Sequence, residues 1–224
     1  MRRTLAPYYA ALLACVAFLS ACSGNKPYET AMCALADTSG TYASQKQNVA
    51  RIIKAGVISG MSPGDSLYFI TIDSNSYSQD NLVDKLKLDY VPSRADQERL
   101  AFAQDLDKFA ATPDQSEYTD ISGAMMLCSD YLKSSGAGHK VMLVFSDMKE
   151  ELRSGLHRDF TSHQFDGIHV AAMNVIKLNG DSVDPAEYRA RLEHWRQRLT
   201  AAGASSWDVI INPVDIPDYL GKVE

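Results

Sequence analysis

Four short, nearly uninterrupted apolar runs constrain what this chain can fold into. They are Ala31 to Leu35, Leu67 to Ile72, Val141 to Phe145 and Ile168 to Val175. A strand with one wet face alternates apolar and polar side chains, whereas a strand covered on both faces does not. The runs therefore predict central strands of a sheet with packing on each side.

The segments between them carry helical periodicity. Val49, Ile52, Ile53 and Val57 recur at that spacing, and Gly60, Pro63 and Gly64 then stop the pattern. Leu100, Ala103, Leu106 and Ala110 form a stripe within Ala95 to Ala111, a further helix begins near Asp120, and Tyr188, Leu192, Trp195 and Leu199 form a stripe within Asp184 to Ala202. Trp207 to Ile211 reads as a last strand. Leu86, Leu88 and Tyr90 alternate with Lys87 and Asp89, the pattern of a half-exposed edge strand, with Pro92 blocking further pairing. Strands alternating with helices at these lengths predict an α/β, doubly wound fold. Its sheet is mostly parallel with one antiparallel edge strand, and helices cover both faces. Ligands in such folds gather at the C-terminal ends of the strands.

The first thirty residues stand apart from this domain. Met1-Arg2-Arg3 followed by the apolar run Leu5 to Leu19 reads as a signal peptide, too short for a comfortable membrane span. Leu19-Ser20-Ala21-Cys22 resembles the bacterial lipobox, which implies cleavage after residue 21 and lipid on Cys22. Residues 22–30 then form a polar tether and residues 31–224 the domain. Ser23 stands where an inner-membrane retention signal would place Asp, so the resemblance implies a lipid-anchored protein of the cell envelope, in the outer membrane and facing the periplasm. With 46% hydrophobic residues, 22% charged residues and a net charge of −6, the chain can close one core and is a poor match for nucleic acid.

Polar oxygen groups collect where the strands end. Asp37, Ser39 and Thr41 alternate just after the first strand, Thr119 lies on a second loop, and Asp147 ends the strand Val141 to Phe145. Two carboxylates and three hydroxyls, without His or Cys, suit a hard divalent cation: Mg²⁺ first, Mn²⁺ or Ca²⁺ as alternatives, and not zinc. A capped turn accounts for Asp37 to Thr41 taken alone.

Asp37-Thr38-Ser39-Gly40-Thr41 resembles the D-x-S-x-S motif of the metal-ion-dependent adhesion site in von Willebrand factor type A domains, and Thr119 and Asp147 follow in the family's order. The resemblance spans roughly Ala31 to Asn212. It implies Ser39, Thr41 and Thr119 as direct ligands, with Asp37 and Asp147 holding coordinating waters. One position stays open for a Glu or Asp carboxylate of a partner protein. Thr41 replaces the usual second serine, Tyr118 a common glycine, and Met148 the glycine that often follows the last aspartate; the last two add bulk near the site.

The implied function is metal-dependent protein binding, not catalysis. A metal-free scaffold of the same fold is the first alternative. A magnesium-dependent phosphohydrolase of the haloacid dehalogenase type is the second, but it needs an Asp where Ser39 stands and a general acid that the motif lacks. The loop Asp73 to Ser78 borders the same sheet edge and reads as a partner contact or a solvated loop. Cys33 and Cys128 lie at one depth below the site and could pair. A strand and a helix packed face to face usually sit too far apart for a disulfide, which favours two buried thiols. The five histidines show no ligand spacing.

Overall fold

The computed structural model describes residues 26–40, 42–113, 116–173 and 185–223. The signal peptide, Cys22, Ser23, Thr41, and Asn174 and Val175 of the fourth apolar run lie outside the described residues.

The four apolar runs are four neighbouring strands. β1 (Lys26–Asp37), β2 (Ser66–Ile72), β3 (Leu82–Lys87), β4 (Ala137–Phe145), β5 (His169–Met173) and β6 (Ser206–Ile210) form one sheet in the order β3-β2-β1-β4-β5-β6. All pairs are parallel except β2 with β3, so β3 is the antiparallel edge strand. It lies earlier than Leu86 to Tyr90 would place it, and Pro92 instead opens the next helix at its first turn, where a missing N–H costs nothing.

Because side chains alternate across a strand, each run feeds two cores. Met32, Ala34 and Ala36 of β1 pack with α1 (Lys46–Ile52, continued by a π turn Ile53–Val57), α2 (Pro92–Ala111) and α5 (Ile216–Val223). Ala31, Cys33 and Leu35 pack with α3 (Ile121–Ser134) and α4 (Pro185–Ala201) on the other face. A core on each side of β1 is what removes the alternation from its sequence.

Several expectations are corrected. β1 starts at Lys26, so Lys26 to Thr30 belong to the sheet rather than to a tether, and the Lys26 amide bonds the Gly136 carbonyl at 3.0 Å. In α2 the buried residues are Ala95, Phe102, Leu106 and Phe109, whereas Leu100 is 62% exposed. Leu106→Ala is therefore expected to lose about 2–5 kcal/mol of stability in urea titrations, and Leu100→Glu less than about 0.5 kcal/mol. Residues 146–168, which cross from β4 to β5, contain no helix.

The cysteines are also corrected: Cys33 of β1 and Cys128 of α3 form a disulfide, with their Cα atoms 6.0 Å apart. Small side chains bring helix and strand close enough. Ala31 on β1 and Ala124, one turn before Cys128, are both fully buried in the same core.

Candidate metal site

β1, β4 and the loop before α3 end at one edge of the sheet. Asp37 is the last residue of β1 and is 1% exposed. The chain leaves it through a turn stitched to its neighbours: the Thr38 amide and hydroxyl both donate to the Ile72 carbonyl at the end of β2, and Ser39 bridges to Ser116. Gly40, at φ 37°, carries the turn through the left-handed region that glycine tolerates.

Three of the expected ligands meet in one hydrogen-bonded chain. Thr119 Oγ1 donates to Ser39 Oγ at 2.6 Å, and Ser39 Oγ donates to Asp37 Oδ1 at 2.5 Å. The Ser39 amide reaches the same carboxylate oxygen at 2.8 Å, and Ser146 Oγ donates to Asp37 Oδ2 at 2.7 Å. Asp147 is buried beside them, its Oδ1 accepting the Lys149 amide at 2.8 Å and its carbonyl accepting Arg191 Nε at 3.0 Å. Ser39, Thr119 and Asp147, with Glu117, Lys149 and Glu151 at the rim, line a cavity of about 190 Å³.

The electrostatics follow from burial. Desolvation pushes the Asp37 carboxyl up to about 6 against the hydrogen bonds from Ser39 and Ser146, and the nearby charge of Asp147 pushes the same way. Among the described residues Asp37 has no ion pair; its hydrogen-bond donors are neutral. A buried carboxylate of this kind gains from a cation. Among the described residues no group of three His, Cys, Asp or Glu side chains is placed to hold a metal; the donors gathered around this cavity are hydroxyls and carboxylates, a set that fits a hard divalent cation.

Two departures from the adhesion-site motif look different in three dimensions. Met148 takes φ 63°, the left-handed conformation that explains a glycine at this position, at a cost of roughly 1–2 kcal/mol. Its amide bonds Ser146 Oγ at 3.0 Å, its carbonyl accepts Trp195 Nε1 at 2.9 Å, and its side chain is buried, so it adds no bulk at the mouth. Tyr118 does not line the cavity; Glu117 does.

Residues beyond the motif hold the loops in place. Asp120 caps α3 by accepting the Gly123 amide at 2.8 Å; it also accepts the Ser76 amide and pairs with Arg158, whose Nη2 lies 2.8 Å away. The loop Asp73 to Ser78 is thereby tied down: the Asp120 amide bonds the Asp73 carbonyl, and Ser74 Oγ shares a hydrogen bond with Ser116 Oγ. Glu150 accepts the Ser122 amide and pairs with Arg198. Asp120, three residues before Gly123, is legible as an N-cap; Arg158, in a loop 38 residues further on, has no local signal.

No family model matches the chain, and no curated protein does. Solved structures do resemble it. The conserved hypothetical protein BatB from Bacteroides thetaiotaomicron is 12% identical at a TM-score of 0.52, over 87% of this chain and 98% of that one. An aerotolerance-related membrane protein from Bacteroides fragilis is 14% identical at 0.50, over 87% and 97%. A von Willebrand factor type A structure from Catenulispora acidiphila is 10% identical at 0.50, over 87% of this chain and 41% of that one. The fold of this chain is thus that of a von Willebrand factor type A domain.

Proposed function

We propose that the chain is a protein-binding module of the bacterial cell envelope, dependent on a divalent cation and not an enzyme. The observation that carries this reading is Asp37, a buried carboxylate with neutral donors only, at the end of the hydroxyl chain from Thr119 through Ser39. Ser39, Thr119 and Thr41 would hold the ion directly, Asp37 and Asp147 through water. The ion is Mg²⁺, with Mn²⁺ or Ca²⁺ as substitutes, and supplies an attachment point for a Glu or Asp carboxylate of a partner protein.

Export and lipidation on Cys22 rest on the signal-like start of the sequence. The disulfide supports an oxidising compartment. The shared fold with an aerotolerance-related membrane protein supports an envelope setting. Among the described residues no helix is long and apolar enough to cross a membrane. The proposed anchor is the lipid on Cys22, in the outer membrane with the domain facing the periplasm.

A metal-free scaffold is the second reading, favoured by the fact that the Thr119–Ser39–Asp37 chain closes on its own hydrogen bonds. Against a phosphohydrolase stands the engagement of both Asp37 oxygens by serine donors. Calorimetry of Mg²⁺ and Mn²⁺ into the chain from Ser23 onward, which holds every described element, separates the first two. The module reading expects binding that falls at least about tenfold in Asp37→Ala and in Thr119→Ala. No binding in the parent would leave the metal-free scaffold.

A further inference from the structure

Glu151 stands in an unusual relation to the site. It forms an isolated antiparallel bridge with Thr119: the Thr119 amide donates to the Glu151 carbonyl at 2.8 Å, and the Glu151 amide returns a bond to the Thr119 carbonyl at 3.0 Å. Side chains of directly opposed residues in such a pair project to the same face, their Cα atoms about 5.5 Å apart. Thr119 turns its hydroxyl to Ser39 Oγ, so the bridge turns Glu151 toward the same cavity, which both residues line. The Glu151 carboxylate is taken up by Lys149 in an ion pair whose side chains are 53% and 51% exposed. An exposed pair of this kind contributes about 0–1 kcal/mol, too little to hold the carboxylate from a divalent ion.

We infer that Glu151 is the chain's own carboxylate ligand for the cation, occupying the position that a partner's acidic residue must take. This rests on the proposed cation site. Partner binding is then an exchange of one carboxylate for another, with Lys149 receiving the displaced Glu151. Such a domain holds its ion more tightly than an open site would, and admits only partners whose acidic residue outcompetes a tethered one.

The test uses Mn²⁺ with the chain from Ser23 onward and the variants Glu151→Gln and Glu117→Gln. Both remove one negative charge from the cavity rim, but only Glu151 is bridged to Thr119; the bridge is made by backbone atoms and survives the substitution. Calorimetry is expected to show Mn²⁺ affinity falling about tenfold in E151Q and less than about threefold in E117Q. Water-proton relaxation is expected to count one more water on the bound ion in E151Q than in the parent, a change that loss of charge alone does not produce. Equal affinities in the two variants with an unchanged water count would overturn the role of Glu151. Absence of Mn²⁺ binding in the parent would instead remove the cation site beneath it.

Discussion

Asp120→Ala is expected to lower the domain's stability by about 3–5 kcal/mol in urea-induced unfolding. The carboxylate is fully buried and accepts the Gly123 amide, the Ser76 amide and Arg158 Nε and Nη2. Arg158 is itself only 13% exposed, so truncating its partner leaves a guanidinium charge largely out of water. Loss of the α3 cap contributes about 1 kcal/mol of the total, and the larger share belongs to the stranded charge. The double variant Asp120→Ala/Arg158→Met is therefore expected to recover part of the loss, because the uncompensated charge has gone while its packing volume remains. A single variant within about 1 kcal/mol of the parent would show that water reaches Arg158 and that the pair does not fix the loops. Asp120 adjoins Thr119 in sequence, and its carboxylate holds the Ser76 amide and Arg158, so the same variant loosens the loops around the Thr119 hydroxyl.

That ion pair also marks the boundary of what the sequence discloses. β1, β2, β4 and β5 were legible because burial on both faces leaves an imprint on composition, residue by residue. Asp37, Ser39, Thr119 and Asp147 were legible because strand ends in an α/β sheet converge, whatever the details of packing. Lys26 to Thr30 carried no such imprint. Their polar and proline-containing sequence pairs only because Ala137 and His139 of β4 lie alongside, a partner more than a hundred residues away. Leu100 misled for the opposite reason: its spacing fits a stripe, but Phe102 and Phe109 rotate the buried face of α2 away from it. An average helix-to-strand distance argues against the disulfide, but the buried alanines at 31 and 124 let α3 approach β1 more closely at this point. Arg158 and Glu151 come from the helix-free crossover after β4, where neither periodicity nor capping reports on what the loop touches.

Loss of the Cys33–Cys128 bond is expected to have an effect of similar size. The bond closes a separation of 95 residues, and in the chain-entropy account a loop of that length restricts the unfolded chain by about 4–5 kcal/mol; native bonds measured by removal contribute about 2–5. For a domain of this size the midpoint of thermal unfolding should fall by roughly 5–15 °C in Cys33→Ala/Cys128→Ala. The alanines avoid burying two hydroxyls in the apolar core that surrounds the sulfurs. Both cysteines are fully buried, so mild reductant should act slowly on the folded parent and quickly near its midpoint, when the core opens. The bond also has a place in the site. It joins β1, four residues before Asp37, to α3, nine residues after Thr119, and so ties together the strand that ends at Asp37 and the helix that follows the Thr119 loop, whose hydroxyl meets Asp37 through Ser39. If it holds those elements in register, the alanine pair should weaken Mn²⁺ binding at a temperature where the variant is still folded. Weakened stability with unchanged cation affinity would assign the bond to the core alone, and an unchanged midpoint would mean that packing between α3 and β1 suffices without it.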